Sequence, residues 1–384
     1  MRIQSLLALG LISFSVACAA NGTSSGDPNA VNGQNGNKTG DQPADQNQIM
    51  PEDDDTPHAL GTIVLGEARA SATGSSSPVI AASFTPDGKK AEKSCSTRVA
   101  GCEMVAVPQC RTGSTTGCTS GELCSFNDSC EAVCVKTCTK SCGAGEECVY
   151  TGTTTMACKK KERFDAGAIS FSGTTTPITL FPPYAVKPDG NGAPFMAKSE
   201  IHVVATGAHE SGFQGFDEKF TSTTFLETDP PLADLDPLDI FGKGDVAVGW
   251  VAGEDKIVVG VSGTFGTAKC DANDADGKFS IPRDVIDEVL GSSSTSSASL
   301  SISVTRQRRE IRSDAKPLNA GVEKGYLELI TTSSEAASFQ SQTCQTGYAM
   351  CNSSCINVQN DRYNCGECGN ACPSTQYCYS GVCE

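Results

Sequence analysis

Cysteine is the residue type with the most chemistry to explain in this chain: there are 21 among 384 residues. A cysteine can be a nucleophile, a metal ligand or half of a disulfide, and its spacing and neighbours decide which. Cys18 stands alone. Cys95, Cys102, Cys110, Cys118, Cys124, Cys130, Cys134, Cys138, Cys142, Cys148 and Cys158 form a dense middle group, and Cys270 follows at a distance. Cys344, Cys351, Cys355, Cys365, Cys368, Cys372, Cys378 and Cys383 crowd the end. Setting Cys18 aside leaves twenty, which divide into eight in the tail and twelve in the middle if Cys270 reaches back. Pairing requires even numbers, so these twenty are expected in ten disulfides, in an oxidising compartment. The connectivity stays open, because eight cysteines alone allow roughly a hundred pairings.

Other uses of these sulfurs fit less well. Zinc is the alternative for the middle group, but no histidine lies between residues 59 and 201, and thiolate sites are uncommon where disulfides form. Cys365 and Cys368 have redox-pair spacing, yet nothing around them reads as the βαβ scaffold that sets a reactive thiol at a helix N-terminus. Within the middle group, Cys118 to Cys124 (CTSGELC) matches Cys142 to Cys148 (CGAGEEC), and each is followed by another cysteine. Aliphatic side chains are few across 110–158, so covalent links are expected to replace a core there.

The tail reads Cys344-x6-Cys351-x3-Cys355-x9-Cys365-Gly-Glu-Cys368-Gly-Asn-Ala-Cys372-Pro-x4-Cys378-x2-Gly381-Val-Cys383. Its centre, Asn364-Cys365-Gly366-Glu367-Cys368-Gly369, with Cys-x5-Cys and a Gly-x-Cys ending, resembles the stigma-specific protein family. The resemblance covers only the tail and implies a small disulfide-rich module. Bacterial lipoproteins with similar tails, myxobacterial ones in particular, look similar as well. The secreted signalling or cell-wall role of the plant members does not transfer to a chain with a different body.

The start of the chain gives an address. Arg2 precedes an apolar run from Leu6 to Ala17, which suits a signal peptide and is too short to span a bilayer. Ser15-Val16-Ala17-Cys18 resembles the lipobox of bacterial lipoproteins, departing from it at Ser15. The resemblance implies acylation of Cys18, which also accounts for the odd cysteine; ordinary cleavage after Ala17 or Ala19 is the competing reading. Ala19, in place of an aspartate, implies sorting to the outer membrane. Residues 18–60 then run without hydrophobic period and with acidic residues facing one lysine, Lys38. Such a stretch is expected to be a disordered tether with a reach on the order of 35 Å.

The elements that must position the cysteines are strands. Short β-branched runs at 62–65, 78–84, 168–171, 177–181, 201–205 and 219–226 lie between turn signals. Val246, Val248 and Trp250 alternate, and the turn at 252–255 leads to Ile257, Val259 and Val261, which predicts a hairpin. Leu300, Ile302 and Val304 alternate with serines, and 326–330 gives a late strand. One helix is expected over 282–290, with Pro282 in its first turn and Gly291 closing it. The expectation is an all-β chain: a two-sheet β-sandwich over 61–343, interrupted by a cysteine-rich insert at 110–158, after a leader (1–17) and tether (18–60) and before a cysteine-rich module at 344–384.

The remaining chemistry is sparse. Gly22-Thr23-Ser24-Ser25-Gly26 has the nucleophile-elbow pattern but no strand before it. Asp271, Asn273, Asp274 and Asp276 could form an irregular calcium loop, although Gly277 cannot occupy an EF-hand register; Asp276-Gly277 also reads as a turn. His58, His202 and His209 complete no catalytic metal pattern. Arg306, Arg308, Arg309 and Arg312 form a basic cluster, as do Lys159, Lys160 and Lys161, each read either as a solvated strand end or as a contact for an anionic surface. Tyr348, Tyr363, Tyr377 and Tyr379 suit sugar or protein contact, or supply rings to a miniature core.

A net charge of −16 argues against nucleic acid as partner. The expected function is a non-enzymatic cell-envelope lipoprotein, held to the membrane by Cys18 and acting as a binding or structural module. The alternatives are a glycan-binding protein using the four tyrosines, with an envelope glycan or surface protein as partner, and a secreted hydrolase. No cofactor or metal is expected.

Overall fold

The computed structural model describes residues 58–84, 95–112, 115–127, 129–136, 138, 142–143, 146–150, 156–160, 164–184, 192–208, 212–291, 298–312, 325–341, 347–351 and 354–384. The leader, Cys18, most of the tether, the Gly22–Gly26 motif, Lys161, His209 and Cys344 lie outside the described residues.

The chain opens with β1 (His58–Ala70) and β2 (Ser76–Phe84), then β3 (Ser96–Val99) and β4 (Cys102–Ala106). The insert holds small hairpins: β5 (Arg111–Thr112) with β6 (Thr115–Thr116), β7 (Glu122–Phe126) with β8 (Ala132–Lys136), and β9 (Glu146–Tyr150) with β10 (Met156–Lys160). β11 (Ile169–Ser172), β12 (Ile178–Leu180), β13 (Glu200–Ala205) and β14 (Phe216–Thr221) follow. Then come α1 (Pro237–Ile240), β15 (Val246–Gly249), β16 (Lys256–Ser262), β17 (Gly266–Asn273), β18 (Lys278–Ile281), α2 (Arg283–Leu290), β19 (Ser299–Arg312) and β20 (Gly325–Gln340). The tail adds β21 (Tyr348–Cys351) with β22 (Ser354–Asn357), and β23 (Cys378–Tyr379) with β24 (Val382–Cys383).

One layer of the sandwich is an eight-stranded sheet in the order β2-β1-β20-β19-β16-β17-β4-β3. The second layer is divided. The four-stranded sheet β12-β11-β13-β14 covers one end of the large sheet, and the pair β15-β18 with α2 covers the other. Each end has its own apolar core. Leu60, Ile63, Leu65, Leu327 and Leu329 meet Ile169, Ile201, Val203 and Phe213 at the first. Ile257, Val259, Val261, Ile302 and Val304 meet Val246, Trp250, Val285 and Ile286 at the second. Burial of these side chains, at about 1.5–3 kcal/mol each, is the main drive for the fold. At the first core, the Tyr184 hydroxyl accepts from the Ala166 amide at 2.7 Å and donates to the Gly167 carbonyl at 2.9 Å. Burial pushes its phenol up to about 12.

Between the cores runs a polar seam. Alternate residues of β20 face inward along its length: Leu327, Leu329, Thr331, Ser333, Glu335, Ala337 and Phe339 are all buried. The polar ones in the middle are satisfied. Glu67 accepts from Ser333 and Ser76 hydroxyls at 2.7 and 2.6 Å, and Glu335 accepts from Ser71 and Thr228 at 2.6 and 2.7 Å. Arg69 lies between the two carboxylates, 3.3 Å from Glu67 and 3.8 Å from Glu335. Nearby, Arg306 is 3% exposed and donates to both oxygens of the fully buried Asp274 at 2.7 and 2.8 Å. Its other hydrogens go to the Thr224 hydroxyl and the Phe225 and Val251 carbonyls.

The all-β sandwich and the β-strands at 62–65, 78–84, 168–171, 177–181 and 201–205 match the expectation, as does the helix, with Pro282 one step earlier as its N-cap. Three local expectations are corrected. The hairpin joining 246–250 to 257–261 does not form: β15 pairs with β18, and β16 pairs with β17 and β19 in the large sheet. The segment at 250–255 crosses between layers instead, with Trp250 bridged to Thr228 and the Val251 amide bound to the Glu227 carbonyl. The strand predicted over 219–226 is β14, ending at Thr221, because Ser222 and Thr223 turn into the seam. The late strand is far longer than 326–330, since its second half is held by buried polar contacts.

Candidate functional site

Nine disulfides close among the described residues. Cys270 does reach back: it bonds to Cys102, directly across the β4–β17 ladder and inside the second core. Cys95 bonds to Cys130, and the insert holds Cys110–Cys124, Cys118–Cys134, Cys138–Cys148 and Cys142–Cys158. The tail holds Cys351–Cys368, Cys365–Cys378 and Cys372–Cys383. Cys355 lies on β22.

Three cysteine triplets have sulfurs within 4.8 Å of one another: 110/118/124, 138/142/158 and 365/372/383. In each, two neighbouring disulfides bring the atoms together. Sulfurs already bonded to sulfur offer no thiolate to a metal ion. With so many cross-links, the protein belongs to an oxidising, extracytoplasmic setting.

The tail tyrosines sort themselves by what fills the module's centre. Cys365, Cys372 and Cys378 are buried together with Cys383 against them. The miniature core is sulfur, so it does not use the rings. Tyr363, Tyr377 and Tyr379 are 71%, 75% and 70% exposed, and only Tyr348, on β21, is half-buried. Tyr377 and Tyr379 flank the inward Cys378 on an extended segment, so they share the outward face, roughly 7 Å apart along the strand. Arg362 stacks on Tyr377 with its guanidinium 5.8 Å from the ring centre, and it donates to the Pro373 carbonyl at 3.2 Å. That places Tyr363's own segment beside the same face. The mutual amide–carbonyl bonds of Tyr377 and Glu384, at 2.8 and 2.9 Å, pin the hairpin. Rigid, exposed rings beside a cation and amide groups are suited to stacking on the apolar face of a sugar or a flat protein surface.

The other sequence candidates are placed as follows. The arginine cluster is neither a solvated strand end nor a free basic patch. Arg306 is bound to Asp274, Arg308 to Asp255 at 2.8 Å, Arg309 to Glu328, and Arg312 to Glu218 and Glu310 at 3.1 and 2.8 Å. Lys159 and Lys160 stand across from Glu147 and Glu146 in the β9–β10 register. Of the candidate calcium ligands, Asp274 is bound to Arg306 and Asp271 to Lys256 at 2.8 Å, while the Asn273 amide donates to Asp276 at 3.3 Å. Asp276-Gly277 is the predicted turn, with Gly277 left-handed at φ 66. His202 lies on β13 and pairs with Asp217.

A groove of about 460 Å³ opens over the seam, with Arg306, Arg308 and Asp255 in its lining. The exposed Lys198–Glu254 pair, 3.4 Å apart, also lines it. Asp255 is held by Arg308 and by the Thr223 hydroxyl at 2.7 Å. The Arg308–Asp255 pair and the Thr223 contact fasten loops to the sheet. The outward tyrosines of the tail were visible in the sequence as a cluster. The buried Arg306–Asp274 pair was not, because its partners are 32 residues apart.

No curated protein and no solved structure matches this chain. The model of the stigma-specific STIG1-like protein family matches residues 311–384, which takes in the end of β19, β20 and the cysteine-rich tail.

Proposed function

We propose that this chain is a non-enzymatic cell-envelope lipoprotein, anchored through Cys18, whose cysteine-rich tail is a binding face for envelope polysaccharide. The observation that carries the binding reading is the exposure of Tyr363, Tyr377 and Tyr379 on a module whose core is made of disulfides. Three large rings held in water on a cross-linked frame lose little conformational entropy on contact with a ligand. The leader's apolar run and the small residues before Cys18 support the anchor, with two or more acyl chains giving stable attachment.

Changing Tyr377 and Tyr379 together to alanine should weaken binding to isolated envelope polysaccharide roughly tenfold, at ~0.5–1.5 kcal/mol per ring. The disulfides should remain complete, since neither ring contributes to the sulfur core. Unchanged affinity would remove the tyrosine face, and absence of binding by the unaltered chain would leave the structural role in its place. For the anchor, Cys18→Ala should shift the protein from the membrane to the soluble fraction. An unacylated mature terminus on the unaltered protein would count against it.

A further inference from the structure

The disulfide pattern of the tail recurs twice in the insert. In the tail, Cys365, Cys372, Cys378 and Cys383 pair first to third and second to fourth. Cys110, Cys118, Cys124 and Cys134 pair the same way, and so do Cys138, Cys142, Cys148 and Cys158. In all three sets, five residues separate the second cysteine from the third. In all three, the third and fourth cysteines face each other across a small hairpin: Cys124 and Cys134, Cys148 and Cys158, Cys378 and Cys383.

The agreement extends to the backbone inside the five-residue loop. The carbonyl one place after the second cysteine accepts from the amide three places further on. These bonds are Glu122 to Thr119 at 3.0 Å, Glu146 to Gly143 at 3.0 Å, and Gln376 to Pro373 at 2.9 Å. A side-chain detail follows the same logic. Glu122 and Glu146 each accept the free amide at the loop's start, from Thr119 at 3.2 Å and Gly143 at 2.9 Å. In the tail that position is Pro373, which has no amide hydrogen, and the carboxylate is replaced by the neutral Gln376. The copies also differ. Cys368 lies between the first and second cysteines of the tail set and bonds to Cys351, and Cys130 lies between the third and fourth of the first copy and bonds to Cys95. The tail hairpin is shorter, and Gly121 sits at φ 86 where the tail carries Thr375.

We infer that residues 110–158 are two further copies of the unit that ends the chain, and that the unit presents the residue before its third cysteine to a partner. In the tail that residue is Tyr377, 75% exposed, and in the first copy it is Leu123, 53% exposed. The frame is repeated while the residue at that position changes, from tyrosine in the tail to leucine in the first copy and glutamate (Glu147) in the second. The repeat stands on the disulfide pattern and the loop hydrogen bonds. The presentation position rests on the polysaccharide-binding reading given above.

Two measurements on the full chain separate these parts. Removing the second-to-fourth bond of one copy at a time, as Cys118→Ser with Cys134→Ser, Cys142→Ser with Cys158→Ser, or Cys372→Ser with Cys383→Ser, should abolish hydrogen-exchange protection in that copy's hairpin alone. Loss that spreads through 110–158 as one block would overturn the repeat. Leu123→Tyr should then raise affinity for isolated envelope polysaccharide severalfold by giving the chain a second aromatic copy. Unchanged affinity, with the unaltered chain binding and all disulfides intact, would overturn the presentation position. Failure of the unaltered chain to bind at all would sink the binding reading and the presentation position with it, and leave the repeat to the exchange result.

Discussion

Arg306→Met should destabilise the sandwich by about 3–5 kcal/mol, the cost of leaving a buried charge without its partner. Asp274 has no solvent exposure, and the arginine supplies hydrogens to both of its oxygens. The same change strips donors from the Phe225 and Val251 carbonyls and from Thr224, which anchor two loops to β19. Adding Asp274→Leu should recover part of the loss, because an apolar pair avoids the stranded carboxylate. The recovery should be incomplete, since Asp274 also accepts from the Asp255 amide at 3.1 Å. The chain offers a convenient reporter: its single tryptophan, Trp250, donates to the Asp274 carbonyl at 2.9 Å. Urea titrations followed by tryptophan fluorescence should show the single variant with the lowest midpoint and the double variant between it and the unaltered protein. Equal midpoints for all three would show that the pair contributes nothing to stability.

Reduction without denaturant should unfold the cysteine-rich parts and spare the sandwich. Each disulfide contributes about 2–4 kcal/mol, and the buried side chains of the tail are cysteines with little besides Val358. The insert is in a similar position, with four of its own bonds and one to Cys95. The sandwich instead has two aliphatic cores and one cross-link, Cys102–Cys270, each sulfur-bearing residue 1% exposed. Differential alkylation with mass spectrometry should label insert and tail cysteines first, and Cys102 and Cys270 only after denaturant is added. Simultaneous labelling of all sites would contradict this order.

How much of this was legible in the sequence depended on locality. Alternating apolar residues marked β13, β16 and the first half of β19, because their buried faces are aliphatic. The second half of β20 was hidden, since Thr331, Ser333 and Glu335 are buried by partners from β1 and the 222–232 segment that no local pattern reveals. The 252–255 turn read as a hairpin for want of any sign that β15 pairs with β18 across the intervening strands. The arginines of β19 looked like a surface charge run because their acids come from distant segments. For the tail, spacing announced a cross-linked module, but only the sulfur core decides that the tyrosines point outward.

The direction of one strand pair sets the polarity of the whole assembly. β1 and β20 run parallel, with His58 level with Gly325. The chain therefore joins the sheet at one end and leaves it from Gln340 at the other, some 50 Å away at ~3.3 Å per residue. The sheet thus acts as a spacer, setting the place where the chain enters it a full strand length from the place where it departs toward the last cysteine knot.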